Sequence, residues 1–247
     1  MNKLYKKSEI WFSVVLIIVY IVGTIIFDNI AAAFKITNFL TPLFYVAISV
    51  LLLIFILKNK LNTKYGLCKS PFEMKYFLFF IPLVVLVSIN FWFGAQSSLS
   101  FLDSMMFIIT MLCVGFLEEI IFRGFLFKAM EKDSLKWAVI VSSLTFGFGH
   151  IINLFVAGAD ILTTILQIFY ATTTGFLFVI IFYKGKTLLP CIITHSLFNS
   201  LSLFAATIST TLNIITAVVI MALTLAYAIV LIKILPKQES TTSANKK

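Results

Sequence analysis

Two adjacent carboxylates and the chain's only arginine lie in an otherwise apolar stretch of the sequence. Glu118 and Glu119 follow an apolar run, and Arg123 comes four residues after Glu119. Ionised groups in hydrocarbon are costly, so they are rare there and usually functional. On a helix Glu119 and Arg123 share a face and can pair, whereas Glu118 is turned roughly 100° from Glu119. Glu118 can therefore face a partner from another part of the chain.

The chain's two histidines are the candidate partners, since both lie in apolar runs. His150 ends a segment that begins at Phe146, and His195 comes four residues before Asn199. From the helical rise, Glu118 lies roughly 15 Å from Lys128 along the axis. His195 lies roughly 13 Å from Lys186, and His150 roughly 21 Å from Lys136. These depths are compatible with one buried site. Alone, each histidine or Asn199 would also serve as a hydrogen-bonding partner between helices, and Glu119 with Arg123 as a neutralised pair.

Taken together, this set can hydrolyse an amide. A carboxylate beside an imidazole can hold and deprotonate a water, while a second histidine and an asparagine can donate to a developing oxyanion. A catalytic zinc bound by His150, His195 and Glu118 uses the same residues, although the spacing lacks HExxH and gives it no independent support. Cys191 lies four residues before His195, but a cysteine buried in apolar surroundings is unreactive.

The composition indicates a polytopic membrane protein. The 247 residues are 61% hydrophobic and 12% charged, with a mean hydropathy of +1.07. A soluble domain has about twice that share of charged residues. The net charge of +9 comes from lysines clustered between apolar runs. That pattern is typical of the positive-inside rule, with the lipid bilayer as the partner, and does not favour a nucleic-acid-binding protein.

Eight apolar runs predict an all-α bundle of eight transmembrane helices in a single membrane domain, residues 1–247. The runs cover about residues 10–27, 40–57, 76–93, 102–127, 137–152, 161–183, 188–204 and 212–235. With a cytoplasmic N-terminus, every lysine except Lys35 falls on a cytoplasmic segment, and the even count makes the C-terminus cytoplasmic too. Residues 236–247 are predicted to be a disordered tail. The absence of an internal sequence repeat weakens the alternative that the protein is a proton-coupled transporter.

Three motifs in the predicted spans resemble those of the CPBP family, also called the Abi or CAAX-processing intramembrane protease family. Glu118–Arg123 matches EExxxR, Phe146–His150 matches FxxxH, and His195–Asn199 matches HxxxN. The resemblance covers residues 102–205 as a catalytic core and implies an eight-helix membrane endopeptidase. It assigns water activation to Glu118 and His150 and the oxyanion to His195 and Asn199. The supporting residues would be Glu119, Arg123 and Phe146.

The resemblance also implies a peptide or membrane-protein substrate. Eukaryotic members cleave after a prenylated cysteine, whereas bacterial members are linked to bacteriocin self-immunity, peptide maturation and surface-protein display. The family is often labelled as metalloproteases, and a metal-free, glutamate-based mechanism is also argued. One arginine among many lysines hints at A+T-rich coding, which favours a bacterial plasma-membrane protein without a prenyl substrate. The alternative is a non-catalytic immunity or peptide-binding protein of the same fold.

Overall fold

The computed structural model describes residues 1–34, 39–69, 80–155 and 160–235. These residues are predominantly helical and contain no strand, although one isolated bridge pairs Ala95 with Ala205. The α-helices are α1 (Asn2–Lys7), α2 (Glu9–Phe34), α3 (Leu40–Lys58), α4 (Pro82–Ser88), α5 (Phe101–Glu118), α6 (Lys128–Glu131), α7 (Leu135–Gly149), α8 (Ile161–Gly185), α9 (Leu189–Leu201) and α10 (Thr210–Ile234). The prediction of an all-α architecture is confirmed.

Six helical segments of the described chain are long and apolar enough to cross a membrane: Glu9–Phe34, Leu40–Lys58, Phe101–Glu131, Leu135–Phe155, Ile161–Gly185 and Thr210–Ile234. The other two predicted spans correspond to shorter apolar helices, Pro82–Phe91 and Leu189–Phe204. The membrane-protein class is therefore supported, whereas the count of eight spans and the cytoplasmic position of both termini stay predictions. Lys35, residues 76–79 of the third predicted span and the tail 236–247 lie outside the described residues.

Polar side chains fix where several of these helices begin. A serine or aspartate precedes the helix and accepts a hydrogen bond from the backbone N–H three residues later, which satisfies one of the free donors of the first turn. These N-terminal capping residues are Ser100 for α5, Ser134 for α7, Asp160 for α8 and Ser209 for α10. At its other end, α8 is followed by Lys186 in the left-handed conformation, at φ 56°.

The segment that carries the acidic motif departs from α-helical geometry. Residues Glu119–Phe127 form a π-helix between α5 and α6, and all nine are buried. Such stretches are rare and are found frequently at functional sites. The segment contacts α2 and α7, so the motif lies inside the helix bundle rather than on its lipid-facing surface.

Two glycines allow the helices around the motif to approach closely. A Cβ on Gly115 of α5 would lie 2.3 Å from the Ser196 hydroxyl oxygen and 2.7 Å from its backbone nitrogen. A Cβ on Gly147 of α7 would lie 1.9 Å from Oγ1 of Thr172 in α8. Small residues at such crossings are a common way to pack membrane helices. These contacts bring α9 against α5 and α7 against α8, and so draw the elements carrying the two histidines towards the acidic motif.

Candidate active site

His195 lies between the two adjacent carboxylates of the acidic motif. Its Nδ1 is 2.9 Å from Oε1 of Glu119, and its Nε2 is 3.6 Å from Oε2 of Glu118. Glu119 also pairs with Arg123, at 3.1 Å between Oε1 and Nη1. The predicted pairing of Glu119 with Arg123 is therefore present. The two glutamates do not face unrelated partners, because they approach the same imidazole from its two nitrogens.

Phe146 packs against the cationic and imidazole groups of this cluster. The guanidinium carbon of Arg123 lies 3.8 Å from the centre of the Phe146 ring, a cation–π contact in a fully buried setting. The same ring makes edge-to-face contacts with His150 and His195, at centroid distances of 5.5 and 5.7 Å. Gly175 leaves room for the arginine, since a Cβ there would lie 3.0 Å from its Nη2. Phe146 thus fixes the relative placement of the three motifs.

Tyr20 of α2 also belongs to the site, although no pattern in the sequence predicted it. Its hydroxyl donates a hydrogen bond of 2.7 Å to Oε1 of Glu118, from 98 residues away in the chain. The sequence has eight tyrosines, and no motif or spacing distinguishes this one. The second carboxylate oxygen of Glu118, Oε2, is buried and has no hydrogen-bond partner among the described residues.

Two cavities with common lining residues meet at the cluster. The larger, of about 400 Å³, is lined by Glu118, His150 and Asn199 together with Tyr20 and Phe146. The smaller, of about 70 Å³, is lined by His195 and shares His150, Asn199 and Phe146 with the larger one. The residues predicted to form the site are therefore brought together around a buried space. His150 reaches it from the start of a 3₁₀ turn that follows α7.

The zinc alternative considered from the sequence gains no support from the side chains of the described residues. Within the described ranges, no group of three or more His, Cys, Asp or Glu side chains is placed to hold a metal ion. His195 directs Nδ1 towards Glu119 and Nε2 towards Glu118, and no set of three such ligands is placed around a common point among the described residues. No catalytic step is therefore derived through zinc.

Cys191 is fully buried in α9, and its thiol lies 3.5 Å from the carbonyl oxygen of Phe178. It is absent from the lining of the two cavities among the described residues. The alternative of a cysteine nucleophile therefore gains no support from the geometry.

The fold and the site define a multi-pass membrane protein with a buried carboxylate–imidazole centre. Residues 100–201 match the family model described as Rce1-like, type II CAAX prenyl endopeptidase Rce1-like. The resemblance to the CPBP family predicted from the three motifs is therefore confirmed over this segment, and the family is one of membrane proteases. No curated protein and no solved structure matches the chain.

Proposed function

We propose that this protein is an intramembrane endopeptidase that hydrolyses a peptide bond in a peptide or membrane-protein substrate. The observation that carries the proposal is the Glu118 carboxylate, which is buried on the wall of a cavity and has one oxygen, Oε2, without a hydrogen-bond partner among the described residues. His150 and Asn199 line the same cavity. All three residues fall inside the segment that matches the protease family.

Glu118 acts as the general base in this mechanism. A water between Glu118 and His150 gives a proton to the carboxylate while the oxygen of that water attacks the substrate carbonyl carbon. The proton then passes to the leaving amine when the C–N bond breaks. Because Oε1 already accepts the Tyr20 hydrogen bond, the other oxygen is the one available for this transfer. General-base catalysis contributes on the order of 10²- to 10⁴-fold.

His195 and Asn199 stabilise the negative charge that develops on the carbonyl oxygen. The contact between Nδ1 and Glu119 orients the ring and leaves Nε2 on the Glu118 side. Arg123 places a positive charge against Glu119 beside the two carboxylates, which limits the cost of burying them. Asn199 lies one helical turn further along α9 and lines both cavities, whereas His195 lines the smaller one. Loss of an oxyanion donor costs on the order of 10²- to 10³-fold in kcat.

The first experiment identifies substrates without assuming their sequence. Membrane and secreted peptides are compared by mass spectrometry between cells expressing the wild type and cells expressing Glu118→Gln. A peptide produced only by the wild type is then synthesised across its cleavage site and tested with purified protein in liposomes. We expect Glu118→Gln to lower kcat at least about 100-fold, because it removes the base.

Glu131→Gln is the matched control, since Glu131 pairs with Lys128 on α6 outside the cluster. This variant should cleave like the wild type. Normal cleavage by Glu118→Gln, in protein that inserts at wild-type level, would overturn the proposed mechanism. If Glu118→Gln cleaves no peptide but still protects cells against a bacteriocin, the result would instead support a binding or immunity protein of the same fold.

We further propose a bacterial plasma membrane with both termini on the cytoplasmic side, as the lysine distribution suggests. Cys68 offers a test because it is partly exposed in the loop that follows α3. A membrane-impermeant maleimide should label it in inverted vesicles and not in intact cells. The opposite labelling pattern would reverse the orientation.

A further inference from the structure

We infer that Tyr20 is a positioning residue that sets the orientation of the Glu118 carboxylate. This inference rests on the proposed function, because it gives the general base its fixed geometry. Tyr20 lies on α2, outside the 100–201 segment that matches the family. The inferred role therefore extends the site to an element that the three motifs do not contain.

The contact between Tyr20 and Glu118 has the properties of a strong hydrogen bond. The donor and acceptor oxygens are 2.7 Å apart, and the two residues are 8% and 9% exposed. Hydrogen bonds to an ionised acceptor are shorter and stronger than neutral ones. Because the hydroxyl occupies Oε1, rotation of the carboxylate is opposed and Oε2 stays on the cavity side. Tyr20 donates this hydrogen bond to Glu118, so its role is to orient the carboxylate.

Tyr20 is itself held by contacts between α2 and α3. Thr24, one turn after Tyr20, makes a hydrogen bond of 3.0 Å to the Tyr45 hydroxyl. Gly23 admits the ring of Phe44, since a Cβ there would lie 2.3 Å from that ring's Cζ. Catalytic groups need supporting residues whose own positions are locked by packing. The phenol is therefore preorganised towards Glu118 by α3.

A matched pair of variants tests this role with the peptide found in the cleavage experiment. Tyr20→Phe keeps the ring and removes the donor, so kcat should fall on the order of 10- to 100-fold, the strength of a hydrogen bond to a charged group. KM should change little, because the lost interaction acts on the base rather than on substrate binding. Tyr65→Phe is the control: Tyr65 is 1% exposed, and its hydroxyl donates to the Tyr5 hydroxyl rather than to Glu118. It removes a buried phenol hydroxyl and should retain wild-type kcat.

A double-mutant cycle separates positioning from general loss of structure. Glu118→Asp shortens the carboxylate so that it no longer reaches the Tyr20 hydroxyl. Adding Tyr20→Phe to Glu118→Asp should therefore cause no further fall in kcat. Wild-type kcat in Tyr20→Phe, an equal loss in Tyr65→Phe, or independent losses in the cycle would each overturn the inference. If Glu118→Gln abolishes cleavage while Tyr20→Phe retains wild-type kcat, only the inferred role of Tyr20 fails. If Glu118→Gln cleaves normally, the proposed function itself fails.

Discussion

Replacing Arg123 with methionine removes the principal cation beside a fully buried carboxylate. Both side chains of the Glu119–Arg123 pair are 0% exposed. Breaking a buried pair by removing one partner costs about 3–5 kcal/mol, because the remaining charge is left uncompensated. The lost cation–π contact with Phe146, at 3.8 Å, acts in the same direction. For a chain of this size we expect a fall in Tm of about 6–20 °C.

Neutralising the partner should restore most of that stability. In Glu119→Gln/Arg123→Met no ionised group is left at the pair, and the glutamine oxygen can still accept from Nδ1 of His195. Nε and Nη2 of Arg123 are buried without hydrogen-bond partners in the described chain, so removing the arginine also removes unsatisfied donors. The double variant should lie within about 1–2 kcal/mol of the wild type. Peptide cleavage should stay about 10- to 100-fold lower, because a charge-assisted bond to His195 is lost.

Thermal unfolding of detergent-purified protein and cleavage of the identified peptide in liposomes measure the two effects separately. Lys128→Met is the control for a partly exposed ion pair with Glu131, and it should change stability by no more than about 1 kcal/mol. A double variant no more stable than Arg123→Met would refute the explanation by an uncompensated charge. Wild-type cleavage by the double variant would refute the role of Glu119 in orienting His195.

Two further predictions concern helix packing and helix capping. Gly147→Ala should destabilise the protein by about 1–3 kcal/mol, because its Cβ would overlap Thr172, whereas Gly124→Ala meets ordinary contacts of 3.6 Å or more and should cost far less; equal changes in Tm would contradict this. The hydrogen bond from the Thr163 backbone N–H lowers the pKa of Asp160. Its stabilising effect should be present above the unfolded pKa of about 3.9 and be lost as the pH falls through the lower folded value. Asp160→Asn should reduce the decrease of Tm at acidic pH. If Tm falls with pH in the variant as it does in the wild type, the assignment is refuted.

Hydropathy and four-residue spacing predicted the parts of this molecule that depend on local sequence. Most span limits fell within a few residues of the observed helices, and Glu119 pairs with Arg123 as their spacing predicted. Within the described residues, the third predicted span corresponds to the shorter apolar helix Pro82–Phe91, and its first residues, 76–79, lie outside the described ranges. The π-helix at Glu119–Phe127 was missed, because apolar residues fill the stretch whichever backbone hydrogen-bond pattern it adopts.

The placement of both glutamates around one histidine follows from the shape of an imidazole more than from helical phase. Adjacent helical residues point in different directions, which suggested separate partners for Glu118 and Glu119. A histidine ring presents its two nitrogens on different edges, so two diverging carboxylates can approach one ring. What distinguishes them is their remaining contacts: Arg123 for Glu119, and Tyr20 with the cavity for Glu118. The acidic motif supplies both carboxylates, and a tyrosine on a different helix, Tyr20, holds Oε1 of Glu118, which leaves Oε2 for the reaction with water in the proposed mechanism.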